Sequence, residues 1–334
     1  MSRSRSLLRA PTGRLRTPWR LLVAGLLFLL VNLSVAVVLV TAGLALDPGD
    51  ADGPRLAGVL VALAGSGLAV AAAVLVAGRY LDHRRVADLG LSLDAVWWRD
   101  LAVGAALGVV LVGGAYAAGL AVGVYEATLD PRGPAGYSLP AWLALVSATM
   151  VAVGVYEELL LRGYLLTNLA EGLTAFVDRR VAVVAALALS SVAFGLLHGR
   201  NPSATTLAVV TITLAGVLLG LGYVYTDRLG LPVGLHVTWN LTHVLLGVPV
   251  SGLELGVRLL ETSTSGRELV HGGAFGPEGG VLGLAATLLG CVAVVAYGRA
   301  TGRGLQDAVA VPSLRDRSGE RENVPENGDR EPGE

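Results

Sequence analysis

Apolar residues in this chain fall in long uninterrupted runs, not at the two-residue period of a strand or on one stripe of a soluble helix. Eight runs approach or exceed the ~20 residues that a helix needs to cross a bilayer. They lie at roughly 19–46, 56–78, 101–124, 140–168, 181–198, 204–226, 231–250 and 280–298. The predicted fold class is therefore all-α, a polytopic membrane protein built as a bundle of about eight transmembrane helices. Glycine and alanine are frequent inside the runs, which lets helix backbones approach closely where lipid offers no hydrophobic drive. No solenoid-like repeat is visible.

The polar segments divide the rest. Residues 1–18 form a basic arm, 19–300 a transmembrane domain with its polar motifs between 140 and 250, and 301–334 a charged tail without apolar period, expected to be disordered. "MSRSRSLLRAPTGRLRTPWR" holds six arginines ahead of the first run. That run, Leu21 to Leu46, is longer than the ~7–15 residues of a signal-peptide core, so an uncleaved first helix is expected. The connection "GRYLDHRRVADLGLSLDAVWWRD" carries Arg79, Arg84, Arg85 and Arg99, and Arg179, Arg180, Arg228, Arg299 and Arg303 mark later connections of the same set. The alternate connections "DPGDADGPR" and "EATLDPRGPAGY" carry one arginine each. By the positive-inside rule both termini are cytoplasmic and 251–279 is external. Trp97-Trp98 beside Arg99 reads as an interfacial anchor.

Composition sharpens this picture. The chain of 334 residues is 53% hydrophobic and 15% charged, well below the ~25% charged of a soluble domain, so the bilayer is its first partner. A net charge of −1 gives no bulk attraction to nucleic acid, and none is expected as a partner. All 25 basic residues other than histidine are arginine. With the weight of Ala, Gly and Val, that suggests a GC-rich bacterial genome and a bacterial plasma membrane. The single cysteine, Cys291, excludes an internal disulfide and a cysteine metal cluster.

Candidate chemistry lies where ionisable residues interrupt the apolar runs, since each is costly there unless it faces a bundle interior or a wet cavity. In "VGVYEELLLRGYLL", Glu158 and Arg162 are four apart and can pair on one helix face. Glu157 is rotated by about 100° from Glu158 and has no cation in its own helix. Farther on, "SSVAFGLLHGRNP" places Phe194 and His198 four apart near a helix end. "LPVGLHVTWNLTH" does the same for His236 and Asn240, with His243 on an extension of that face. Singly, each has a bland alternative: a structural ion pair, a packing histidine at a helix end, an interhelical hydrogen-bond pair. Together they supply a carboxylate and a histidine to hold and deprotonate water, and a histidine–asparagine pair to stabilise an oxyanion. That set can hydrolyse a peptide bond without a serine or cysteine nucleophile.

At these residues the chain resembles the CPBP family of intramembrane proteases, which includes the type II CAAX prenyl endopeptidases and bacterial Abi proteins linked to bacteriocin processing or self-immunity. The family's EExxxR motif is matched by Glu157, Glu158 and Arg162, FxxxH by Phe194 and His198, and HxxxN by His236 and Asn240. The resemblance implies an intramembrane endopeptidase acting on a membrane-associated protein or peptide near the cytoplasmic side. Glu157 and His198 would activate water, His236 and Asn240 would form the oxyanion site, and Glu158, Arg162 and Phe194 would support them. A metalloprotease version also follows, in which Glu157, His198 and His236 hold Zn2+; both versions stand at this point. HExxH is absent, and "AGSG" at 64–67 fails the rhomboid GxSG. The rival class is a non-catalytic binding or self-immunity protein, or a transporter-like scaffold, using the same polar cluster without cleavage. One geometric difficulty remains. Straight spans starting at a common surface put Glu157 and His198 much deeper than His236, so helix tilt or a partly submerged 170–180 connection is expected.

Overall fold

The structure is a computed structural model that describes residues 8–9, 14–41, 53–134 and 137–302. Most of the basic arm, the 42–52 connection and the tail beyond Gly302 lie outside the described residues. The helices are α1 (Thr17–Thr41), α2 (Gly53–Tyr80), α3 (Ala95–Ala121), α4 (Leu139–Glu158), α5 (Thr167–Leu173), α6 (Arg179–His198), α7 (Thr206–Thr226), α8 (Gly230–Leu245), the single turn α9 (Glu268–His271) and α10 (Val281–Ala300). A π-helical segment, Leu159–Leu166, joins α4 to α5. The result is one continuous helical stretch, Leu139–Leu173, of 35 residues.

Among the described residues, seven helices are long and apolar enough to cross a membrane. Leu26, Leu29, Leu33, Val110, Leu196 and Val292 are among many large aliphatics left exposed around the bundle, an apolar belt that lipid would cover. The eighth helix of the sequence reading differs. α8 has 16 residues, or about 24 Å, short of the ~30 Å hydrocarbon core. It stops because Gly247, at φ 69, turns the chain ahead of Pro249. α8 is an inner helix, with Gly230 through His236 buried almost without interruption.

Glycine spacing explains how α8 is held. Gly104 and Gly108 of α3 face Gly230 and Gly234 of α8. A Cβ on Gly104 would lie 2.1 Å from the Leu231 carbonyl oxygen, and one on Gly234 2.1 Å from that of Leu101. Two G-x-x-x-G faces thus bring the backbones into contact, and Thr238 Oγ1 donates to the Ala105 carbonyl at 2.8 Å. Trp97 takes part as well. It is buried, its indole donating to the Gly90 carbonyl at 3.0 Å. Only Trp98, 55% exposed, fits the anchor role expected of both.

The depth difficulty resolves in the 227–229 turn. Leu229 is fully buried and donates its backbone N–H to the Gly90 carbonyl. It packs against Gly163, well inside the end of the long helix at Leu173. Glu157 lies six residues above Gly163 and His236 six above Gly230, about 9 Å each. The 227–229 turn is thus folded into the bundle. In the 170–180 connection Phe176 is 85% exposed.

Two features were not foreseen. β1 (Tyr125–Arg132) and β2 (Arg258–Thr264) pair antiparallel at the bundle end away from most of the arginines. At the arginine-rich end, Arg14 and Arg84 meet Glu171 at 2.6 and 2.7 Å, and Arg20 pairs with Asp82. Burial pushes the Asp82 carboxyl up, opposed by the pull of Arg20 and Arg84.

Candidate active site

The sequence-singled residues converge from α4, the π segment, α6 and α8 on one cavity of about 340 Å³. Glu157, His198, His236 and Asn240 all line it, with Tyr156 and Trp239 beside them. π segments are frequent at functional sites, and this one begins directly after the glutamate pair. Just past its end, Thr167 Oγ1 donates to the Arg162 carbonyl, five residues back.

The supporting residues form a chain of contacts. Glu158 and Arg162 are fully buried and paired at 2.8 Å. A second guanidinium nitrogen of Arg162 donates to the Gly216 carbonyl at 3.1 Å. The guanidinium also stands 4.6 Å over the Phe194 ring, a cation–π contact. Glu158 Oε1 accepts a further hydrogen bond, from His236 Nδ1 at 2.8 Å. The Phe194 carbonyl accepts from His198 Nδ1 at 2.9 Å, and the two rings are 4.4 Å apart.

These partners set the histidine tautomers. A carboxylate and a carbonyl only accept, so Nδ1 carries the proton in both rings, and in the neutral form each Nε2 presents a lone pair. Both Nε2 atoms point to the same place, at 3.9 Å from Glu157 Oε2. That oxygen is buried and has no hydrogen-bond partner. Its twin, Oε1, accepts from the Tyr156 hydroxyl at 2.9 Å, and Gly67 on α2 leaves room for the Tyr156 ring. Asn240 lies one turn beyond His236. No hydrogen bond ties its side chain to another described residue, so its amide is free to face the cavity. His243, the remaining histidine of that helix, is buried and donates to the Trp239 carbonyl; it does not line this cavity.

The convergence leaves three acceptors without a donor: two imidazole lone pairs and a carboxylate oxygen. A water at ~2.8 Å from Glu157 Oε2 and one of the imidazole nitrogens can donate to both, since the two atoms are 3.9 Å apart. A metal ion also suits the donor set, because histidine ligands commonly donate Nδ1–H to a carboxylate or carbonyl. Among the described residues no group of three or more His, Cys, Asp or Glu is placed to hold a metal ion as it stands.

Residues 139–242 match the family model of the type II CAAX prenyl endopeptidases, Rce1-like. The matched segment, about a third of the chain, is similar to the type II CAAX prenyl endopeptidases. The match takes in Glu157, Glu158, Arg162, Phe194, His198, His236 and Asn240, and supports a CAAX-protease-like intramembrane endopeptidase at family level. Comparison with curated proteins and with solved structures gave no match.

Sequence reasoning missed Tyr156, Ser251 and Glu278 of the cavity. Tyr156 adjoins the glutamate pair but reads as one more apolar position of the run. Glu278 and its partner Ser251 come from the 246–280 connection, where no spacing rule links a lone glutamate to a helix thirty or more residues earlier.

Proposed function

We propose that this protein hydrolyses a peptide bond of a membrane-associated protein or peptide, with water activated by Glu157 at the point where His198 and His236 converge. The observation that carries this reading is the buried, unpartnered Glu157 Oε2 equidistant from two imidazole Nε2 atoms. A water held there donates to Glu157 and faces the cavity with a lone pair. As its oxygen bonds to the scissile carbonyl carbon, Glu157 takes the proton. The carbonyl oxygen gains negative charge and accepts from the Asn240 amide. His236 adds a second donor when Nε2 is protonated, a state that Glu158 stabilises from the other side of the ring. The C–N bond then breaks, and Glu157 passes its proton to the leaving nitrogen. Preorganised donors of this kind are worth most in a site that excludes water.

Zn2+ fits the same place: Glu157, His198 and His236 would hold it, and it would supply a more acidic water at neutral pH. Glu157, Glu158 and Arg162 leave one negative charge in excess. A proton on the histidine pair or a bound cation offsets it.

The site faces the bundle end that carries the 199–205 and 246–280 connections, since His198 is the last residue of α6. This end lies opposite the arginine-rich one, which the positive-inside rule assigns to the cytoplasm; the site's side of the membrane is part of this proposal. The test is cleavage of a peptide library by the purified protein in detergent, read by mass spectrometry. New peptide termini support the reading, and a library left intact at every pH and metal condition overturns it.

A further inference from the structure

Glu278 stands apart from the other buried acids. Among the described residues, Asp82, Asp100 and Glu158 are as buried and each contacts an arginine. Glu278 is 6% exposed and has no cationic partner among the described residues. It lies outside the family-matched segment, yet lines the same cavity as Glu157 and His236. A buried carboxylate without a counter-charge is costly, and such groups concentrate at functional sites.

The local chain is built to present it. Glu278 sits in a short turn, Pro277–Gly279, entered through Gly276 at φ 98. A Cβ at Gly276 would meet the Pro249 carbonyl oxygen at 2.2 Å. Oε1 accepts from the Trp239 indole at 2.8 Å. Oε2 accepts from the Ser251 backbone N–H and, at 2.9 Å, from its hydroxyl. Asn201 Nδ2 in turn donates to the Ser251 carbonyl at 3.0 Å. A carboxylate offers about four acceptor positions, and three are filled. Holding the 250s connection against α8 needs only acceptors, which an amide could partly supply. The retained charge, on the cavity wall with one acceptor position free, calls for a cation from outside the protein.

We propose that Glu278 is a specificity subsite for a basic side chain of the substrate, flanking the bond to be cut. Trp239 is three residues after His236, on the same helix face, so a group bound at Glu278 sits beside the attacked carbonyl. The proposal rests on the reading of this cavity as a peptide-binding one, and names the substrate class that it selects.

The test uses binding, so that it does not depend on turnover. The full-length Glu157→Gln variant, in detergent, is titrated with fluorescent peptides carrying arginine or its neutral isostere citrulline at each position in turn. At one or two adjacent positions the arginine peptide is expected to bind about 10-fold tighter or more, the scale of a close charge pair at an interface. Adding Glu278→Gln should abolish that preference and leave citrulline peptides unchanged. No arginine preference at any position, or one that survives Glu278→Gln, overturns the proposal. Should Glu278→Gln fail to fold, Glu278→Asp draws the charge back by one methylene and has to weaken the preference at the same position; an unchanged preference again overturns it. A protein that binds arginine peptides with this pattern but never cleaves would sink the endopeptidase reading and leave the subsite standing.

Discussion

Adjacent glutamates make the sharpest comparison in this chain, because Glu→Gln at 158 and at 157 should have opposite consequences. Glu158 Oε1 receives Arg162 and His236, each at 2.8 Å, and both Glu158 and Arg162 are fully buried. Glutamine keeps an oxygen for those donors but removes the charge that balances Arg162. It also brings an NH2 group to the buried position of Oε2, which has no hydrogen-bond partner now. Leaving a buried charge uncompensated costs about 3–5 kcal/mol. The hydrogen bonds that an amide retains return about 1 kcal/mol, for a net loss of about 2–4 kcal/mol. At ~2–4 °C per kcal/mol for a chain of this size, the melting temperature should fall by about 4–16 °C. Glu157 has no arginine to strand, so Glu157→Gln should shift stability by less than about 1 kcal/mol. Thermal melts of the purified proteins in one detergent measure both. A Glu158→Gln protein that melts within about 2 °C of wild type would refute the pairing argument.

Asn240→Ala should lower kcat by about 10²–10³ with little change in KM, the usual loss for one oxyanion donor; kinetics on a cleaved peptide check this. For zinc, elemental analysis of active protein decides: less than about a tenth of an equivalent at full activity rules it out, since a catalytic metal must occupy each working site. If zinc is held, chelation should abolish activity, zinc should restore it, and His236→Ala should lower the metal content. Gly234→Val should abolish folded protein on size exclusion, because its Cβ would fall 2.1 Å from the Leu101 carbonyl oxygen. Gly113→Val, where nothing lies within 4 Å, should be tolerated.

What the sequence made legible follows from the physics of each feature. Long apolar runs place spanning helices because length alone meets the bilayer requirement, and Glu158 with Arg162 could be paired because four residues is a helix-surface neighbour. The tautomers of His198 and His236 could not be read, since they depend on partners that tertiary packing supplies. α8 was taken for a spanning helix because its composition is apolar; only the G-x-x-x-G contact with α3 shows it to be an inner helix. The β1–β2 pair and Glu278 were invisible for one reason. The strands lie more than a hundred residues apart and Glu278 lies 39 from Trp239, and local period carries no record of such contacts.

The central claim is that Glu157 activates the attacking water, and side-by-side turnover of one library-derived peptide by wild-type and Glu157→Gln protein in proteoliposomes tests it most directly. The account expects cleavage by wild type and a loss of at least about 10²–10⁴, the range for removing a positioned general base, from a variant whose thermal melt is unchanged. Cleavage by Glu157→Gln at the wild-type rate would contradict it.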